Sequence, residues 1–98
     1  MHKKFNMSLE DYEEEVLLRM YDNQIIGHNY FSIQKVASLI KWRKIARKYR
    51  VRKKFSSVIK RLVSKGYVDD HGKSGKAASL TRLGVAYVIG KISQTRRD

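Results

Sequence analysis

Phe55-Ser56-Ser57-Val58-Ile59-Lys60-Arg61-Leu62-Val63-Ser64-Lys65-Gly66-Tyr67-Val68 is the stretch that decides the fold. Phe55, Val58, Ile59, Leu62 and Val63 recur at three- and four-residue spacing, which predicts a helix over about 52–65 with one greasy face. Gly66 can take the left-handed conformation that ends a helix, and Lys65 suits the negative end of its dipole. Downstream, 67–71 and 76–80 read as two short strands around Gly72-Lys73-Ser74-Gly75, a glycine-flanked hairpin turn. Thr81 is placed to cap a last helix over 82–95, apolar from Leu83 to Ile92.

Working upstream, Ser32 is a natural cap for a helix carrying Ile33, Val36, Ala37 and Ile40 on one face, after a short strand at Tyr30-Phe31. Helical spacing repeats with Trp42, Ile45, Ala46 and Tyr49. At about 100° per residue, this second set points nearly opposite to the first. Either the chain breaks near Lys41, or one long helix is sandwiched between two surfaces, as a dimer permits. Ser8-Leu9-Glu10-Asp11 reads as a capping box with Asp in place of Glu, the Ser8 hydroxyl accepting the Asp11 amide proton. It opens a helix over 8–22 with Leu9, Tyr12, Val16, Leu17 and Met20 as its buried stripe. Residues 1–7 are expected to be a flexible N-terminus.

Ninety-eight residues make one small domain, 1–98, with little room for a deep substrate cavity. The 42% hydrophobic content supports a core, and no apolar run approaches the roughly 20 residues that cross a bilayer. No membrane partner is expected, and without a signal-peptide pattern the expected location is cytoplasmic and nucleoid-associated. There is no cysteine, hence neither a disulfide frame nor a thiolate metal site.

The net charge is +13, and its distribution says more than its total. Between Ser8 and Asp22, six acids (Glu10, Asp11, Glu13, Glu14, Glu15, Asp22) face one base, Arg19. From Asn23 to Val68 there is no acid at all, while Lys41 to Lys65 holds twelve bases. A solvated helix face normally mixes signs, because like-charge neighbours cost a few tenths of a kcal/mol each. Twelve against none points to a polyanion, and nucleic acid is the leading candidate.

Ile45-Ala46, then Tyr49, Val51, Ile59, Leu62, Gly66, Tyr67 and Val68, and finally Leu80-Thr81-Arg82-Leu83-Gly84, together resemble the winged helix-turn-helix regulators, MarR- and PadR-like proteins among them. The resemblance implies a mainly α fold with a small β-hairpin, a helix-turn-helix over 43–65, a wing over 67–80, and a double-stranded DNA-binding transcription regulator. It also implies that Ala46 allows close approach inside the first helix of the motif and that Val51 plugs the core from the turn. The 33–40 segment is the alternative first helix, with an unusually long turn.

Rotation about the 52–65 helix places bases and hydroxyls opposite its apolar stripe. Arg52, Lys53, Ser56, Ser57 and Lys60 are the candidates for base contact, because the N-terminal half of such a helix reaches base edges in the major groove. Lys54 and Arg61, with Arg43, Lys44, Arg47 and Lys48 on the preceding helix, are the candidates for phosphate contact. Lys73, Ser74 and Lys76 at the hairpin tip are expected to reach the DNA backbone. On the last helix Val85, Ala86, Ile89 and Ile92 form one apolar stripe, expected to pack on the domain, and Leu83, Tyr87 and Gly90 form a second on another side, assigned to a homodimer interface.

Other chemistry finds little support. Gly72-Lys73-Ser74 ends like a phosphate-binding loop, but the upstream glycine spacing is off by one and the context runs from strand to strand. Asp69, Asp70 and His71 alternate faces along a strand and cannot converge on one metal ion. His2, His28 and His71 have no nucleophile or paired carboxylate at catalytic spacing. The expectation is a non-enzyme with no cofactor, no metal and no evident small-molecule ligand. An RNA- or protein-binding interaction module of the same fold is the alternative.

Overall fold

The computed structural model describes residues 8–72 and 76–96, so Lys73 and Ser74 lie outside the described residues. Its elements in chain order are α1 (Asp11–Asp22), β1 (Phe31–Ser32), α2 (Ile33–Ile40), α3 (Trp42–Tyr49), α4 (Phe55–Ser64), β2 (Val68–His71), β3 (Ala77–Leu80) and α5 (Arg82–Arg96). A mainly helical chain with a small antiparallel sheet is what the sequence led us to expect. None of the described helices is long and apolar enough to cross a membrane.

The first helix starts later than its sequence suggests, and Ser8 is not its cap. Glu10 occupies that position, and its amide donates to Glu13 Oε1 at 2.9 Å. The reason is that Glu13 is drawn fully inside, so its carboxylate closes on the helix end from within. Tyr12, Val16, Leu17 and Met20 are buried as expected, whereas Leu9, expected in the same stripe, is half-buried and precedes the helix.

Residues 33–49 are two helices. Lys41 (φ 59°, ψ 54°) is left-handed and is the single residue between α2 and α3. The reversal lets Val36 and Ile40 share one core with Ile45. Ser32 caps α2 as expected, its hydroxyl accepting the Lys35 amide at 3.1 Å. Arg50 (φ 58°) ends α3, with the Val51 amide reaching back to the Ala46 carbonyl at 2.8 Å. Gly66 (φ 87°) ends α4 in the same way, with Tyr67 bonded to Leu62 at 3.0 Å.

The predicted helix over 52–65 begins only at Phe55, with Lys54 extended before it. No Ser, Thr, Asp or Asn stands between 50 and 54 to start it earlier. The start is set by Phe55, which is pulled into the core against Trp42, ring centroids 5.1 Å apart. Residues 50–54 therefore form a connector. Of the two preceding helices, α2 packs more closely across α4 than α3 does.

The sheet has the order β1-β3-β2, all antiparallel, with Phe31 opposite Ala78 and Asp70 opposite Ala78 on the other side. Thr81 caps α5 by accepting the Gly84 amide at 3.0 Å, and its hydroxyl donates to the Gly66 carbonyl at 2.6 Å. One threonine thus ties the end of α4 to the start of α5. The packing face of α5 differs from the expected Val85, Ala86, Ile89 and Ile92 stripe. Ala86 and Ile89 are exposed, while Gly84 and Val88 face inward. The rotation follows from Gly84: a Cβ there would lie 2.2 Å from the Tyr67 carbonyl oxygen, so only glycine lets the helix sit this close.

Candidate nucleic-acid interface

Three consecutive glutamates of α1 each reach a different helix, because successive residues point about 100° apart. Glu13 accepts from Lys65 Nζ at the end of α4 (3.2 Å) and lies 3.4 Å from Arg61 Nε. Glu14 accepts the Tyr87 hydroxyl and pairs with Lys91 on α5 at 3.4 Å. Glu15 meets Lys48 (3.1 Å) and the Tyr49 hydroxyl (2.8 Å) on α3, and Arg19 (2.7 Å) on its own helix. Burial alone pushes the Glu15 carboxyl up, but the hydrogen bonds from Tyr49, Lys48 and Arg19 outweigh it and hold the carboxyl below its ordinary value. Burial, and then the bond to Glu14, raise the Tyr87 hydroxyl well above the ordinary tyrosine value.

These ties divide the twelve bases between Lys41 and Lys65. Lys48, Arg61 and Lys65 are ion-paired to α1. The other nine, Lys41, Arg43, Lys44, Arg47, Arg50, Arg52, Lys53, Lys54 and Lys60, are exposed and make no ion pair among the described residues. They run from the α2–α3 corner along α3, through the connector and onto α4. Lys41 and Arg50, which were not assigned a contact from sequence, belong to this set by position. Their left-handed backbones set the ends of α3, a feature with no signature in a Lys or an Arg.

On α4 itself, Ser56, Ser57 and Lys60 are exposed, as the helical rotation predicts. Arg52 and Lys53 are not on the helix but in the connector ahead of it. Beside α4 runs a cleft of about 300 Å³, floored by Ile33, Ile59 and Val63 and rimmed by Ser56, Lys60, Asp70 and Lys76. The Lys76 carbonyl accepts the Ile33 amide at 2.8 Å, fixing the start of β3 to the start of α2. No role for Asp70 is legible in the sequence, since the strand period tells its face only once the pairing partner is known.

The residues assigned to a dimer interface divide. Leu83 is 47% exposed and Gly90 is exposed. Tyr87 instead packs its ring against Tyr67, centroids 5.3 Å apart, and spends its hydroxyl on Glu14. Ile89, 46% exposed, lines an open apolar groove with Ile26, Val85 and Ala86.

Aromatic residues along the patch make ring contacts within the chain. Trp42 lies between Phe55 and Tyr12, the latter centroid 6.5 Å away. His71 stacks on Tyr30 at 4.1 Å, and its Nε2 lies 2.9 Å from the Ser79 hydroxyl, which donates to the Gly27 carbonyl. Among the described residues, no three His, Asp or Glu side chains converge as a metal site. Comparison of the chain with protein-family models, with curated proteins and with solved structures finds no match.

Proposed function

We propose that this chain is a winged helix-turn-helix protein that binds double-stranded DNA and regulates transcription, with α4 in the major groove and the connector, α3 and wing against the backbone. The observation that carries this is the run of nine exposed, uncompensated cations around α3 and α4. Such a surface is self-repelling, and phosphates are the countercharge it lacks. The hairpin beside α4, the β1-β3-β2 strand order and the hydroxyl-and-lysine face of Ser56, Ser57 and Lys60 also favour it. Two copies pair through α5 with Leu83 at the contact, setting two recognition helices about one DNA turn apart, roughly 34 Å.

The test is a fluorescence-anisotropy titration of a labelled duplex across a salt series. If about six cations neutralise phosphates, log affinity falls against log salt with a slope near −5. A slope near zero overturns the proposal, and equal affinity for structured RNA replaces it with an interaction module of another specificity.

A further inference from the structure

We infer that Asp70 is a specificity-determining residue that selects cytosine in the major groove, an inference that rests on the duplex-binding function proposed above. Asp69 and Asp70 are neighbours in sequence but lie on opposite faces of β2, opposite Ser79 and Ala78 respectively. Asp69 falls in the apolar groove beside α5. Asp70 opens into the cleft that also holds Ser56 and Lys60, two of the side chains placed to meet base edges. The carboxylate is exposed and makes no ion pair among the described residues, so neither Lys60 nor Lys76 consumes it.

A free carboxylate on a phosphate-facing surface weakens the general hold on DNA. It accepts hydrogen bonds and donates none, so the groups it can satisfy are donors. In the major groove guanine offers two acceptors, thymine an acceptor beside its methyl, and adenine a donor next to an acceptor. Cytosine alone presents its amino donor with no acceptor, beside an apolar C5–H edge. In the Asp70 cleft the carboxylate is the one acidic group, above a floor of Ile59 and Val63, and the Lys60 and Lys76 ammonium groups beside it are donors suited to the acceptors of the paired guanine.

The experiment is selection of the full chain and of Asp70→Ala on a pool of random duplexes, followed by sequencing, with affinities for the unselected pool measured alongside. The expected result is a cytosine-enriched position for the wild type, its preference on the order of tenfold. In Asp70→Ala that preference is lost, while affinity for the unselected pool rises roughly twofold as a repelling charge leaves. Asp70→Asn, matched in shape and checked by circular dichroism, also loses the cytosine preference if the carboxylate is the reader. An unchanged cytosine preference in both variants, or none in a wild type that binds duplex tightly, overturns the role of Asp70 alone. Failure of the wild type to bind any duplex overturns the DNA-binding function and Asp70's role with it.

Discussion

Glu13, with none of its surface exposed, holds the Lys65 ammonium 3.2 Å from its carboxylate and so fastens the far end of α4 to the first turn of α1. Its other oxygen has Arg61 at 3.4 Å but no aligned hydrogen bond. Removing one member of such a pair leaves a buried charge uncompensated, whereas removing both is far milder. Lys65→Met is expected to cost about 3 kcal/mol. Glu13→Leu combined with Lys65→Met is expected to recover most of that loss. Urea unfolding midpoints at constant slope measure both, and a double variant weaker than the single would show that the pair is not the source.

Two glycines of α5 should respond to alanine with opposite signs. Gly84→Ala drives a methyl into the Tyr67 carbonyl and is expected to destabilise by about 2 kcal/mol or more. At Gly90 nothing lies within 4 Å, so Gly90→Ala should gain roughly 0.5–1 kcal/mol from helix propensity alone. Thermal melts of the two variants suffice.

Acid should unfold the protein partly through Glu15. Its folded value is depressed, so its stabilising contribution is present above the ordinary value of 4.5 and is lost as pH falls through the lower folded value. Glu15→Gln is therefore expected to flatten the fall in urea midpoint below pH 4.5, while being less stable than the wild type at neutral pH. An unchanged acid limb would assign that loss to other carboxylates.

Cations of the same helix should separate in DNA binding. Arg47 has no acidic partner among the described residues, whereas Lys48 is held by Glu15. Arg47→Ala is expected to weaken duplex binding and to reduce the salt slope by about one. Lys48→Ala should change the slope less and the stability more. Equal slopes for the two would mean that the α1 ties open when DNA arrives.

If α5 joins two copies, sedimentation at micromolar concentration gives a dimer mass and Leu83→Glu gives a monomer. A monomeric wild type removes pairing from the proposal. Tyr87→Phe, by contrast, should leave the mass unchanged, because its hydroxyl serves Glu14 within one chain.

The helices were legible wherever apolar spacing met a chemical start or stop. The opposed stripes around Lys41 located the corner between α2 and α3, and Ser32, Thr81 and Gly66 marked boundaries that the structure keeps. The start of α4 was misplaced because no capping side chain precedes it and the pull of Trp42 on Phe55 is a tertiary effect. The buried face of α5 was misread because its apolar residues surround the helix, and its orientation depends on a missing Cβ at Gly84. At the candidate interface, the charge imbalance singled out residues 41–65 but overcounted the free cations there. Lys48 and Arg61 are tied to glutamates more than thirty residues earlier, a contact no local pattern announces.

Lys41 and Arg50 bracket α3 in a backbone conformation that costs a side-chain-bearing residue about 1 kcal/mol and glycine almost nothing. Glycine at either corner is thus expected to yield a hardier molecule with a looser grip on polyanions, so that durability and adhesion pull in opposite directions at these two sites.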